Sequence, residues 1–222
     1  MGNSEVYIGQ MIRLLKTFCL ALVFATPSVA QSDRAGDFDY YVMSLSWTPS
    51  WCALEGDERN SPQCDADQGF GFTLHGLWPQ YESGWPTYCR TSERDPTRSQ
   101  TAAMADIMGT SGLAWYQWKK HGRCSGLSSE KYFETAREAY TSVTRPEVFR
   151  NLPREMRLPP SVIEAAFLEL NDGIEPDGLT VTCKSSMIQE VRICLTKDLT
   201  PRICGQDVIR DCQYNADMAP MR

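Results

Sequence analysis

Apolar positions recur along this chain with two periods, and the changes between them mark its elements. From Asp39 to Trp47 aromatic and aliphatic residues dominate, and the second half alternates with serine, which predicts a strand. Residues 53–69 turn polar, with Gly, Asp, Asn and Pro and no period, and read as a loop. Phe70 to Leu74 predicts a second strand, with His75 at its end where the strand gives way to Gly76. Helical spacing then takes over. Thr101 to Met108 is helix-compatible, Gly112 is expected to interrupt, and Leu113 to His121 follows with Gly122 as a left-handed cap. In Ser129 to Val143, the residues Tyr132, Phe133, Ala136, Ala139, Tyr140 and Val143 form a stripe that belongs to a core. A further helix is expected from Pro160 to Leu170, with proline in its first turn.

The last third returns to a period of two. Leu179 to Cys183 and Ile188 to Cys194 predict strands, and Leu199 to Cys204 a further short one. Strands at both ends around central helices predict an α+β domain with a largely antiparallel sheet and several packed helices. Neither a repeat nor a second-domain boundary is visible.

The first thirty residues stand outside this pattern. Arg13 and Lys16, the apolar run Phe18 to Ala25 and the small residues Ser28-Val-Ala30 read as a secretory signal peptide, so residues 31–222 are expected to form the domain. The apolar run is less than half of the ~20 residues that span a bilayer. A secreted or periplasmic protein, with no membrane association of the mature chain, is the expectation.

Cysteine usage agrees. Cys19 lies in the leader, and eight remain: Cys52, Cys64, Cys89, Cys124, Cys183, Cys194, Cys204 and Cys212. An even set in an exported chain reads as a disulfide framework, with 105 pairings open to eight cysteines. Metal-ligand spacing is missing, so neither a metal nor another cofactor is expected. The net charge of −6 argues against a broad basic surface for tight nucleic-acid binding. It leaves room for an enzyme with a local cationic cleft.

The chemistry concentrates at two histidines, the only ones in the chain: His75 in Phe72-Thr-Leu-His-Gly-Leu-Trp-Pro79 and His121 in Trp118-Lys-Lys-His-Gly-Arg-Cys124. Histidine exchanges protons near neutral pH, so two copies are the minimum equipment for a reaction needing a base and an acid together. On a helical wheel Tyr116, Gln117, Lys120 and His121 share an arc of ~140°, opposite Trp115, Trp118 and Lys119. Lys120 is thereby the candidate partner for charge developing on a phosphoryl group.

These two segments resemble the active-site segments of the T2 family of secreted ribonucleases, and the resemblance runs from about Tyr40 to Cys212, with Ser46-Trp47 and Glu190-Val-Arg-Ile-Cys194 as weaker support. It implies an RNase T2-like fold and a metal-independent endoribonuclease acting on single-stranded RNA. His121 would serve as base and His75 as acid in transphosphorylation to a 2′,3′-cyclic phosphate, with roles reversed in later hydrolysis. It also implies the pairs Cys52–Cys64, Cys89–Cys124, Cys183–Cys212 and Cys194–Cys204. Trp47, Trp51, Phe72 and Trp78 are weighed for stacking on bases against a place in the core, Trp47 foremost by resemblance.

The chain departs from the family at Tyr116 and Gln117, where many members carry His-Glu. Tyr116 offers phosphate a hydroxyl without charge, and Gln117 an amide that cannot titrate. Two competing readings follow: a binding or effector protein that kept the fold and lost catalysis, and a phosphodiesterase for small cyclic nucleotides. A monomer is expected.

Overall fold

The computed structural model describes residues 33–222; the expected leader lies outside the described residues. Strand β1 (Tyr40–Trp47) is followed by a short helix α1 (Thr48–Trp51), a π turn (Cys52–Gly56) and a 3-10 turn (Pro62–Cys64), so the polar loop carries two turns of helix closed by the Cys52–Cys64 disulfide. Strand β2 (Phe72–Gln80) leads to α2 (Arg98–Ala102), α3 (Ala105–Met108) and α4 (Ser111–Lys120). Next come α5 (Ser129–Ser142), β3 (Met156–Leu158), α6 (Pro160–Leu170), β4 (Leu179–Lys184), β5 (Met187–Leu195) and β6 (Ala216–Met218).

The sheet runs β2-β1-β5-β6-β3, and β4 also pairs with β5. All pairings are antiparallel except the contact of β5 with β6, so the α+β architecture with a largely antiparallel sheet is as expected. Strand alternation explains the layers. Tyr41, Met43, Leu45 and Trp47 of β1 point to the helices and join Leu74, Leu77, Ile163, Phe167, Val191 and Ile193 in the main core. The other β1 residues, Tyr40, Val42, Ser44 and Ser46, face the opposite side. There Tyr40, Val42 and Cys194 form a small second cluster, tied to Cys204 by a disulfide.

Four expectations about local structure are corrected. β2 does not end before His75 but continues to Gln80, because β1 supplies a partner along its whole length. Gly112 lies within α4, not at a break; Thr110 caps the helix, its hydroxyl accepting from the Leu113 N–H, and Gly112 sits in the first turn, where backbone N–H groups have no partner within the helix. Gly122 is not a left-handed cap. It opens a 3-10 turn (Gly122–Ser125), and it must be glycine because a Cβ there would sit 2.6 Å from the Trp118 ring and 2.8 Å from that of Tyr132. Leu199 to Cys204 forms no strand: Pro201 makes a single bridge to Leu195 and has no N–H to extend a ladder.

Disulfides join all four implied pairs, Cys52–Cys64, Cys89–Cys124, Cys183–Cys212 and Cys194–Cys204. Cys89–Cys124 holds the segment after β2 against the end of α4, where the Tyr88 N–H also donates to the Lys120 carbonyl. No described helix is long and apolar enough to cross a membrane.

Candidate active site

His75 owes its position to an irregularity in the sheet. Ser44 of β1 pairs with Gly76 and Leu45 with Leu74, which leaves His75 as the extra residue of a β-bulge. A bulge breaks the strict alternation of faces and re-aims a side chain. Here it turns His75 to the side away from the main core. A second bulge, in the β4–β5 pair, leaves Gln189 unpaired, since Thr182 pairs with Glu190 and Cys183 with Ile188.

Glu190 reaches His75 from β5, across the intervening strand β1. The His75 Nδ1 and Glu190 Oε1 atoms are 2.5 Å apart, with the imidazole N–H donating to the carboxylate. The Glu190 side chain is 3% exposed, and its second oxygen accepts from Arg192 Nε at 3.0 Å and Nη2 at 2.8 Å. Burial alone pushes this carboxyl up, but His75 and Arg192 outweigh it and hold Glu190 at about 2, so it is ionised at any ordinary pH.

His121 lives in the opposite environment. It is 5% exposed, its Nδ1 has no hydrogen-bond partner, and its ring stacks on Trp78 at 5.2 Å. Burial, with the Lys120 ammonium and His75 adding to it, pushes His121 down to about 3. The imidazole is neutral in the free site.

Trp78 stands between the histidines, edge-on to His75 at 5.3 Å and stacked on His121. Its Nε1 donates to Gln117 Oε1 at 2.7 Å. Gly76 makes this possible, because a Cβ at 76 would fall 2.3 Å from both atoms of that hydrogen bond. His75, Gly76 and Trp78 of the one motif, His121 of the other and Gln117 just before it are thus parts of one packed unit.

A cavity of about 420 Å³ opens over it, lined by His75, Trp78, Trp85, Tyr116, Gln117, Lys120, His121 and Arg192 among others. A second cavity, of about 670 Å³, is lined by Trp51, Arg59, Asn60, Gln63, Thr73 and Leu113 and shares His75, Tyr116, Gln189 and Glu190 with the first. Tyr116 is exposed at their junction, with the Lys120 ammonium 5.9 Å from its ring centre.

Of the residues predicted from sequence, His75, His121, Lys120, Gln117, Tyr116 and Trp78 meet at this cavity. Trp47 and Phe72 do not. Trp47 is fully buried, donates from Nε1 to the Ala219 carbonyl at 2.8 Å and packs on Phe72; Phe72 is itself wedged against Phe149 and Phe167. Neither ring has a free face for a base, so both are core residues. Sequence reasoning passed over Glu190 and Arg192 as chemical groups, although an acidic residue between Ile188 and Val191 in an apolar strand is itself a signal. Among the described residues no cluster of His, Cys, Asp and Glu is arranged to hold a metal ion.

Comparison with known proteins decides the family. The model of the Ribonuclease T2 family matches residues 38–212. The chain belongs to the ribonuclease T2 family. A "Ribonuclease" of Aeromonas hydrophila is 41% identical over 109 residues, covering 49% of this chain and 48% of the relative. Ribonuclease 1 of Arabidopsis thaliana is 28% identical over 219 residues, covering 87% and 81%. A "Probable ribonuclease" of Haemophilus influenzae matches over 50% of its length, so the chain spans about half of two of these family members. The crystal structure of RNase NT in complex with 5′-AMP superposes with a TM-score of 0.64 at 25% identity, covering 83% of this chain and 99% of that one.

Proposed function

We propose that the chain is a metal-independent endoribonuclease that cleaves single-stranded RNA by transphosphorylation to 2′,3′-cyclic phosphate ends, with later hydrolysis to 3′-phosphates. The observation that carries this reading is the pair of histidines on one cavity in surroundings of opposite sign. The His75 Nδ1–H is hydrogen-bonded to a buried carboxylate, which leaves Nε2 to exchange protons with substrate, whereas His121 is kept neutral by burial beside an ammonium. His121 therefore takes the proton of the 2′-hydroxyl as O2′ bonds to phosphorus, and His75 delivers one to the leaving 5′-oxygen as the P–O5′ bond breaks. When a phosphate anion enters beside His121, its charge raises the proton affinity of that ring, so the base gains strength with substrate bound.

Lys120 supplies positive charge to the phosphoryl oxygens, and Gln117, whose carbonyl is taken up by Trp78, has its amide N–H groups left for them. Tyr116 contributes a hydroxyl. The two cavities meeting at His75 and Tyr116 fit the nucleotides on either side of one scissile phosphate, and the exposed Trp85 offers a stacking face. The four disulfides support export to an oxidising compartment, periplasmic or extracellular, after removal of residues 1–30. The working unit is a monomer.

Digestion of RNA in EDTA with analysis of product ends tests the reading: cyclic phosphates are expected, and His75→Ala or His121→Ala should each remove nearly all turnover. Full activity of either variant refutes it. A second reading, a binding protein without catalysis, draws on Tyr116 and Gln117; a "Ribonuclease-like storage protein" of Panax ginseng is 26% identical to the chain. Protein that binds RNA but leaves it intact from mildly acidic to mildly alkaline pH would favour it. Rates on RNA and on a 2′,3′-cyclic mononucleotide separate both from a small-substrate phosphodiesterase.

A further inference from the structure

We infer that Glu190, seated by Arg192, is a positioning residue for His75: it fixes the imidazole with Nδ1–H on the carboxylate and Nε2 toward the cavity, which makes His75 the proton donor to the leaving oxygen. The inference rests on the acid role proposed for His75 and adds the group that creates it.

Four observations lead to it. The contact is direct, at 2.5 Å, and the carboxylate is almost fully buried. A buried anion is costly unless it is paired and hydrogen-bonded, and Glu190 is both, with His75 on one oxygen and the Arg192 fork on the other. The irregular backbone is local to this contact, since the His75 bulge in β2 and the Gln189 bulge beside Glu190 flank it. Finally, the helix offers no carboxylate, because position 117 is glutamine and its carbonyl is committed to Trp78. The carboxylate that touches His75 comes from the sheet.

A carboxylate on one ring nitrogen does two things. It selects the tautomer, leaving the other nitrogen to exchange protons with substrate, and it stabilises the charged ring that must exist before the proton is given away. The charged and titratable groups that share a cavity with His75 are Glu190 and Arg192 from β5, Glu55 and Arg59 from the loop after α1, Tyr116, Lys120 and His121 from α4 and its end, and Asp207 from the segment after Cys204. Among them Glu190 alone touches the ring with a charge of opposite sign.

The test uses leaving groups of different quality. General-acid help is worth about 10²–10⁴-fold on a poor leaving group, and a nitrophenolate leaves without it. Glu190→Gln, nearly isosteric, should therefore lose about ten- to a hundredfold in kcat on RNA, a part of that contribution, yet turn over uridine 3′-(4-nitrophenyl phosphate) at close to the wild-type rate. The alkaline limb of its kcat/KM profile on RNA should move to lower pH. Glu190→Asp, which keeps the charge, should recover part of the loss. Wild-type rates and profile in Glu190→Gln, or an equal loss on both substrates, overturn the inference. Should the variants not fold, the wild-type protein still decides by proton NMR: a far-downfield imidazole N–H, lost in His75→Asn, is expected, and its absence overturns the inference. His75→Ala is the control that keeps the two proposals apart. If it is inactive on RNA while Glu190→Gln behaves as wild type, the acid stands and only its positioning residue falls.

Discussion

Replacing His121 by phenylalanine should make the protein less sensitive to acid while abolishing its activity. The imidazole is buried and pushed down to about 3, against an ordinary histidine value near 6.5 in the unfolded chain. At pH 7.5 neither state carries the proton. As pH falls below 6.5 the unfolded chain takes it up and the folded protein does not, so stability is lost with falling pH at ~1.4 kcal/mol per pH unit. At pH 5 the loss amounts to about 2 kcal/mol, and it levels off near 5 kcal/mol only when the folded protein also protonates, at about pH 3. Glu190 does not confuse this window. Its carboxyl is ionised in the folded protein and mostly so in the unfolded chain at pH 5, its stabilising contribution falls away in stronger acid, and it is present in both proteins compared. Phenylalanine keeps a flat ring on Trp78 and removes both the titration and the buried nitrogen without a partner. Urea unfolding of both proteins at pH 7.5 and pH 5 supplies the comparison. The stability of His121→Phe relative to wild type should rise by about 2 kcal/mol between the two pH values. A difference that does not change with pH would mean that His121 is not held neutral, and would refute the electrostatic argument for it as base.

Other outcomes follow from the same site. Because bound phosphate raises the proton affinity of His121, the acid limb of kcat should lie at higher pH than that of kcat/KM; coincident limbs would contradict this. Tyr116→His places a titratable cation at an exposed position beside Lys120, so KM for RNA should fall about two- to fivefold at pH 5.5 and be unchanged at pH 8. Gly76→Ala puts a methyl group 2.3 Å from both Trp78 Nε1 and Gln117 Oε1, at a cost of about 2–4 kcal/mol from overpacking and a broken hydrogen bond. Thermal unfolding with tryptophan emission reads this, and Gly76→Ala/Gln117→Ala should recover part of it.

Much of this was legible in the sequence because it depends on regular periods and local chemistry. The strand Tyr40–Trp47 and the helix Pro160–Leu170 follow from alternation and from a helical stripe opened by proline. Alternation also held the correction for Trp47: it shares parity with Leu45, so the face that buries one buries the other. What escaped was whatever breaks a period or joins distant segments. The bulge at His75 violates the rule used to find strands, and the three-residue strands β3 and β6 are too short to show a period. The partnership of His75 with Glu190 spans 115 positions and exists only once β1 has come between their strands.

The extra residue in β2 also separates the inheritance of the fold from that of its chemistry. Thr73 and Trp78 line cavities on the same side of the sheet although they are an odd number of residues apart, which a regular strand does not allow. One residue resets the parity, and that residue is His75. A single-codon deletion there would restore regular alternation with Leu74 and Leu77 on the core face, so the residue proposed as the acid is also the one that the pairing of β1 with β2 does not need.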